Sequence, residues 1–154
     1  MKIFNLFGDK WDETRDREGW HIKEAFVGHH IGGELIGASM SEVEPGNKLW
    51  PYHTHYANEE WAIVLAGEPT FRTPEGEQVL KEGDVVCFPR GEDGAHQIIN
   101  RTDTAIRVLM LSSMIGPDLV KYVDTGKVFA RNAEGEPIML ARPGPTVEYW
   151  EGEE

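Results

Sequence analysis

Apolar residues along the chain fall in short runs, cut at close intervals by seventeen glycines and nine prolines. That punctuation leaves little room for long helices and predicts many short strands. The runs lie at 34–44, 52–55, 60–66, 69–73, 77–80, 84–88, 96–100 and 105–113, the last nearly continuous in apolar residues. Between two of them, Thr73-Pro74-Glu75-Gly76 places proline second and glycine fourth, the preference of a type I turn closing a hairpin. Gly67, Gly83, Gly91 and Gly94 mark further reversals.

Six or more short antiparallel strands must hide their edges, and a closed barrel or a double-sheet jelly roll does so within one domain. Both leave an interior that accepts a ligand. The expected class is all-β. The first thirty residues have no clean period: 9–19 is highly charged, and 20–30 mixes aromatics with His21, His29 and His30, so an arm or cover strand is expected. After Gly116 the chain turns polar, with short strands expected at 127–130 and 137–141, before Arg142-Pro143-Gly144-Pro145 ends regular structure.

The single Cys87 has no intrachain disulfide partner. It sits in Val85-Val86-Cys87-Phe88 and reads as a small core hydrophobe. The first residues lack the apolar stretch of a signal peptide, and no run approaches the roughly 20 residues of a membrane helix. A cytoplasmic location is the default expectation.

Four side chains carry the chemistry: His53, His55, Glu60 and His96. Two histidines two apart on a strand point to one face, which suits joint ligation of an ion. Glu60 and His96 each open a later strand. Three imidazoles and a carboxylate form a ligand set for Mn, Fe, Ni, Cu, Co or Zn.

The stretch from Gly46 through His53-Thr54-His55 to Glu60, then six residues and Gly67, resembles the first motif of the cupin superfamily. One extra residue precedes the first histidine. Gly83, Pro89, Gly91, His96 and Asn100 resemble the second motif, with four residues between Gly91 and His96 where two are usual. The resemblance covers about residues 34–113 and implies a single cupin barrel, a double-stranded β-helix of jelly-roll type. It would comprise an N-terminal arm (1–33), the barrel (34–115) and a C-terminal extension (116–154) packing on the barrel or a dimer partner. It further implies one divalent transition metal per chain on His53, His55, Glu60 and His96, and a homodimer using the arm and the C-terminal strands.

Glu59 competes with Glu60, since the family pattern allows three or four residues after the second histidine. The gap to Gly67 selects Glu60, and strand parity puts it on a face with the small residues Ala62, Val64 and Ala66. Trp50, Tyr52, Tyr56 and Trp61 are candidates for a pocket mouth or for packing. Arg72 and Arg107 would clamp a substrate anion if they face inward. His21, His29 and His30 read as surface or packing residues, with His29 or His30 placed to cover the site from the arm.

The chain carries 27 acids against 15 bases, a net charge of −12. Nine acids face five bases in residues 1–45, ten face six in 46–111 and six face two in 131–154, so the charge is spread over the surface. This argues against binding nucleic acid or anionic lipid. An acidic exterior does not draw anionic substrates inward, so that attraction falls to the metal and an inward-facing arginine. The expected function is a metal-dependent enzyme acting on a small oxygen-rich molecule, of dioxygenase, decarboxylase or isomerase type. A non-catalytic small-molecule binding or sensing cupin, and a metal-independent sugar epimerase-like cupin, are the alternatives.

Overall fold

In a computed structural model describing residues 1–153, the punctuated runs become strands of two facing antiparallel sheets. One sheet has the order β1 (Glu13–Arg15), β2 (Ile22–Ala25), β3 (Ile36–Val43), β10 (Ile106–Ser113), β5 (Glu60–Ala66), β8 (Val85–Phe88), and the other β13 (Pro137–Ala141), β12 (Lys127–Arg131), β11 (Asp118–Tyr122), β4 (Lys48–His55), β9 (His96–Ile99), β6 (Thr70–Thr73), β7 (Gly76–Val79). The barrel proper is built from β3 to β10. The expected hairpin turn at Thr73–Gly76 joins β6 to β7, with Thr73 paired to Gly76.

Period-two alternation fills the interior. On β5, Ala62 and Val64 are fully buried and join Val43, Leu49, Phe71, Phe88, Ile98, Ile106, Val108 and Met110 between the sheets. Each such side chain contributes roughly 1.5–3 kcal/mol when removed from water. The alternate positions Ile63 and Leu65 point the other way. They pack with Met40, Leu109, Ala25 and Val27 under the N-terminal segment, whose Phe4, Leu6 and Trp11 cover them.

The expected arm is more regular than the sequence pattern indicates. It supplies β1 (Glu13–Arg15), β2 (Ile22–Ala25) and the short helix α1 (Val27–Ile31), and β2 extends the first sheet by pairing with β3. Arg107 fastens it by donating to the carbonyl oxygens of Leu6 and Gly8 at 3.2 and 3.1 Å while pairing with Glu42 at 2.7 Å. The C-terminal segment extends the second sheet through β11 (Asp118–Tyr122), β12 (Lys127–Arg131) and β13 (Pro137–Ala141). No helix among the described residues is long and apolar enough to cross a membrane.

Cys87 is not a core residue. On β8 the inward positions are Val86 and Phe88, and Cys87 lies exposed opposite Trp61, itself 45% exposed. A continuous apolar run conceals which parity faces in. Pairing with the outward Trp61 decides it.

Candidate metal centre

His53 and His55 project from β4, Glu60 from β5 and His96 from β9, so both sheets contribute to one end of the interior. His53 lies directly opposite His96 in the β4–β9 ladder, with ring centroids 4.7 Å apart. The ligand-capable atoms of His53, Glu60 and His96 all lie within 4.8 Å of one another. His55 does not meet that mutual distance, but its Nε2 faces Glu60 at 3.5 Å, beside His96 Nε2 at 3.4 Å from the same carboxylate oxygen.

Every imidazole of the set has its Nδ1 engaged. His53 Nδ1 donates to the Pro51 carbonyl at 2.8 Å, His96 Nδ1 to the Gly94 carbonyl at 2.9 Å and His55 Nδ1 to Asp118 at 2.6 Å. A ring that donates from Nδ1 presents the lone pair of Nε2. Three such nitrogens and a buried carboxylate suit a divalent transition ion, so the donor chemistry fits the expected metal.

Electrostatics hold two of these donors, His53 and His96, in the neutral, ligating form. Burial, then the neighbouring His55, pushes His53 down to about 4, and burial with the adjacent His53 takes His96 to about 3. Phe88 stacks on His96 at 3.9 Å and fixes its plane. Burial also lowers His55, but the Asp118 hydrogen bond and the Glu60 charge outweigh it and the net shift is upward. Burial raises Glu60 above the usual carboxylate range.

Both departures from the family spacing are absorbed by local geometry that serves the histidines. The residue added before His53 is taken up by a register shift between Leu49 and His53, where Trp50 adopts φ 57°. That is an uncommon conformation for a bulky residue. Gln97 Nε2 donates to the Trp50 carbonyl at 2.9 Å, and Arg15 lies 4.4 Å over its ring. The insertion before His96 folds as a 3-10 turn (Glu92–Gly94) whose last carbonyl holds the His96 ring. Gly94 is required there, since a Cβ would stand 1.6 Å from the Pro89 carbonyl oxygen.

A cavity of about 680 Å³ opens over the group. Trp50 reaches its wall, but Tyr52 carries Arg72 4.0 Å over its ring, Tyr56 donates to Glu92, and Trp61 Nε1 donates to Glu59 at 2.8 Å. The last contact also leaves Glu59 outside. His29 lines the cavity, whereas His30 is held by Asp12 at 2.9 Å and His21 by Asp16 at 2.5 Å.

Neither arginine considered as an anion clamp serves the cavity. Arg72 makes a two-pronged pair with Asp124, both contacts at 2.8 Å, and Arg107 is spent on the arm. The cationic side chain in the wall is Arg131, at the end of β12, and it forms no salt bridge among the described residues. Its charge reaches both Glu60 and His55. Sequence reasoning missed Arg131 and Asp118. The alternation Asp118-x-Val120-x-Tyr122 was the available signal for β11, with Asp118 and Val120 buried.

Residues 39–112 match the family model described as the cupin domain. No curated protein matches the chain. Among solved structures, a candidate sugar phosphate isomerase from Acidithiobacillus ferrooxidans is 26% identical, with a TM-score of 0.75 over 84% of this chain and 83% of that one. A sugar phosphate isomerase of the cupin superfamily from Silicibacter pomeroyi is 25% identical, with a TM-score of 0.75 over 86% and 82%. A predicted oxalate decarboxylase from Thermotoga maritima is 22% identical, with a TM-score of 0.53 over 60% and 79%, a likeness of fold alone. Family model, sheet order and structural likeness agree: residues 39–112 match the cupin domain, and the barrel of this chain has the cupin fold.

Proposed function

We propose that the protein is a metal-dependent enzyme acting on a small, oxygen-rich anion, and that isomerisation of a phosphorylated sugar is the reaction its site fits best. The observation that carries this is the convergence of Nε2-presenting imidazoles and Glu60 on a cavity whose wall holds Arg131, which lies 4.9 Å over the Phe129 ring and forms no salt bridge among the described residues. The two solved structures at 25–26% identity that are designated sugar phosphate isomerases support it.

His53, Glu60 and His96 would hold one divalent ion of the Mn-to-Zn series, with His55 completing the set from its Asp118-anchored position. Such an ion polarises a carbonyl or acidifies a bound water. The chain's own residues do the rest. Asp118 orients His55, the stacked Phe88 orients His96, and Arg131 is placed to receive a phosphate or carboxylate by a charge-assisted fork. Apolar wall residues such as Met110, Val120 and Phe129 shield the site from water.

The test is metal analysis of the purified protein, followed by a panel of aldose and ketose phosphates assayed with and without oxygen. About one transition metal per chain, lost in His53→Ala and His96→Ala, with oxygen-independent interconversion of a sugar phosphate, is the expected result. Oxygen uptake with diketones or dicarboxylates instead would move the assignment to an oxygenase. A ligand held tightly and never converted would make the protein a binding cupin.

A further inference from the structure

Glu24 has no part in the chemistry above, yet it is 6% exposed and lines the same cavity as the histidines. Strand β2 places it there. Ile22, two residues earlier on the same face, belongs to the core between the sheets, so Glu24 points inward. Among the described residues its carboxyl forms no hydrogen bond and no salt bridge. Its shift has three sources only: burial, the charge of Arg15 and the charge of Glu13. Directly across the β2–β3 ladder lies Ser41, fully buried, whose Oγ also has no hydrogen-bond partner. Buried polar groups are ordinarily paired, and a buried hydroxyl without a partner next to a cavity-lining carboxyl marks a place where a partner arrives from outside.

Burial raises the Glu24 pKa to about 7, so much of the population is a neutral acid near physiological pH. A neutral carboxyl both donates and accepts. Its complement is a hydroxyl, which does the same. The anionic end of a ligand is served elsewhere in the wall by Arg131.

We propose that Glu24 is a ligand-binding residue, contacting a hydroxyl of a polyhydroxylated molecule whose anionic end is taken by Arg131. The site is a second polar pole of the cavity, on the strand the N-terminal segment adds to the barrel. It deepens the sugar-phosphate reading and rests on it for the identity of the ligand class.

The probe is glucitol 6-phosphate, an open-chain polyol phosphate with no carbonyl to isomerise, with inorganic phosphate as the arm that lacks hydroxyls. Binding of both to metal-loaded protein is measured by calorimetry at pH 7 for wild type, Glu24→Gln, Glu24→Leu and Arg131→Ala. Loss of one hydrogen bond corresponds to roughly tenfold in affinity. Glu24→Leu should therefore weaken glucitol 6-phosphate about tenfold and leave inorganic phosphate unchanged, Glu24→Gln should stay within about threefold, and Arg131→Ala should weaken both. Unchanged polyol affinity in Glu24→Leu would overturn the proposal, as would a wild-type protein with no preference for the polyol phosphate. A loss in Glu24→Gln as large as in Glu24→Leu would mean a charged partner, and the hydroxyl assignment would fall. Circular dichroism melts confirm that each variant folds. Sugar-phosphate turnover and metal content, followed on the same preparations, report on the isomerase reading separately, so either conclusion can fail alone.

Discussion

Asp118 accepts the Nδ1–H of His55 at 2.6 Å across 63 positions of sequence, and its other oxygen accepts the Ala57 backbone N–H at 2.9 Å. One carboxylate from the C-terminal segment thereby fixes both the ring and the turn that follows β4. Burial raises the Asp118 pKa, but these hydrogen bonds outweigh it and hold the group below the ordinary range, so it is ionised at neutral pH. The pair sets the tautomer that points Nε2 at Glu60.

Asp118→Asn should leave the barrel folded and free the His55 ring from its charged anchor. Outer partners of this kind contribute roughly 10–100-fold to metal affinity. Competition with a chromophoric chelator at pH 7.5 should show a loss in that range for Asp118→Asn. Affinity equal to wild type would show that the Asp118 charge plays no part in how tightly the ion is held.

The 3-10 turn before His96 gives a sharper test. A Cβ at Gly94 meets the Pro89 carbonyl oxygen at 1.6 Å, backbone that does not yield as a side chain would. Gly94→Ala should destabilise the fold by roughly 2–3 kcal/mol, the scale of a strained backbone site, and displace the carbonyl that holds His96. Denaturant unfolding reads the first effect and metal content the second. A variant with wild-type stability would contradict the packing of this loop.

The barrel strands were legible because alternation and turn chemistry are local: the 60–66 run is β5 itself, and the turn at Thr73 sits where proline and glycine put it. The spacing of the two motifs likewise picks out His53, His55, Glu60 and His96, which the fold brings to one end of the barrel interior. What escaped depends on contacts distant in sequence. Asp118-Leu119-Val120-Lys121-Tyr122 becomes a strand by pairing with β4, and nothing within it announces that partner. Arg72, Arg107 and Arg131 look alike in sequence, and the acids Asp124 and Glu42, supplied by other strands and turns, decide which arginine remains free. Glu24 lies in a segment with no clean period, and nothing local marks it until β2 joins the sheet and turns it inward.

The edge strand β13 presents Ile138 and Leu140, 66% and 60% exposed, beside an unpaired backbone edge. Such an edge invites pairing with another chain. Analytical ultracentrifugation at micromolar concentration should give a dimer for the wild type and a monomer for Ile138→Glu/Leu140→Glu. A wild-type monomer would remove any role of this strand in assembly.

Glu24 also makes stability depend on pH in a direction opposite to the histidines. Its pKa is about 7 in the fold against 4.5 as a free side chain. Below pH 4.5 both states carry the proton and Glu24 costs nothing. Between 4.5 and 7 the unfolded chain releases its proton before the native one does, so stability falls as pH rises, by at most about 3 kcal/mol, and is level above 7. His53 and His96, at about 4 and 3, act the other way: the metal-free unfolded chain takes up protons below 6.5 while the fold stays neutral, and stability is lost as pH falls. The two trends overlap in the wild-type profile and separate in a comparison with Glu24→Gln. Urea unfolding of metal-free protein at pH 4.5, 6 and 8 should find Glu24→Gln more stable than wild type at pH 8, with the gap closing toward pH 4.5. A gap that is constant with pH would mean the carboxyl ionises normally in the fold, and that its partner is already present.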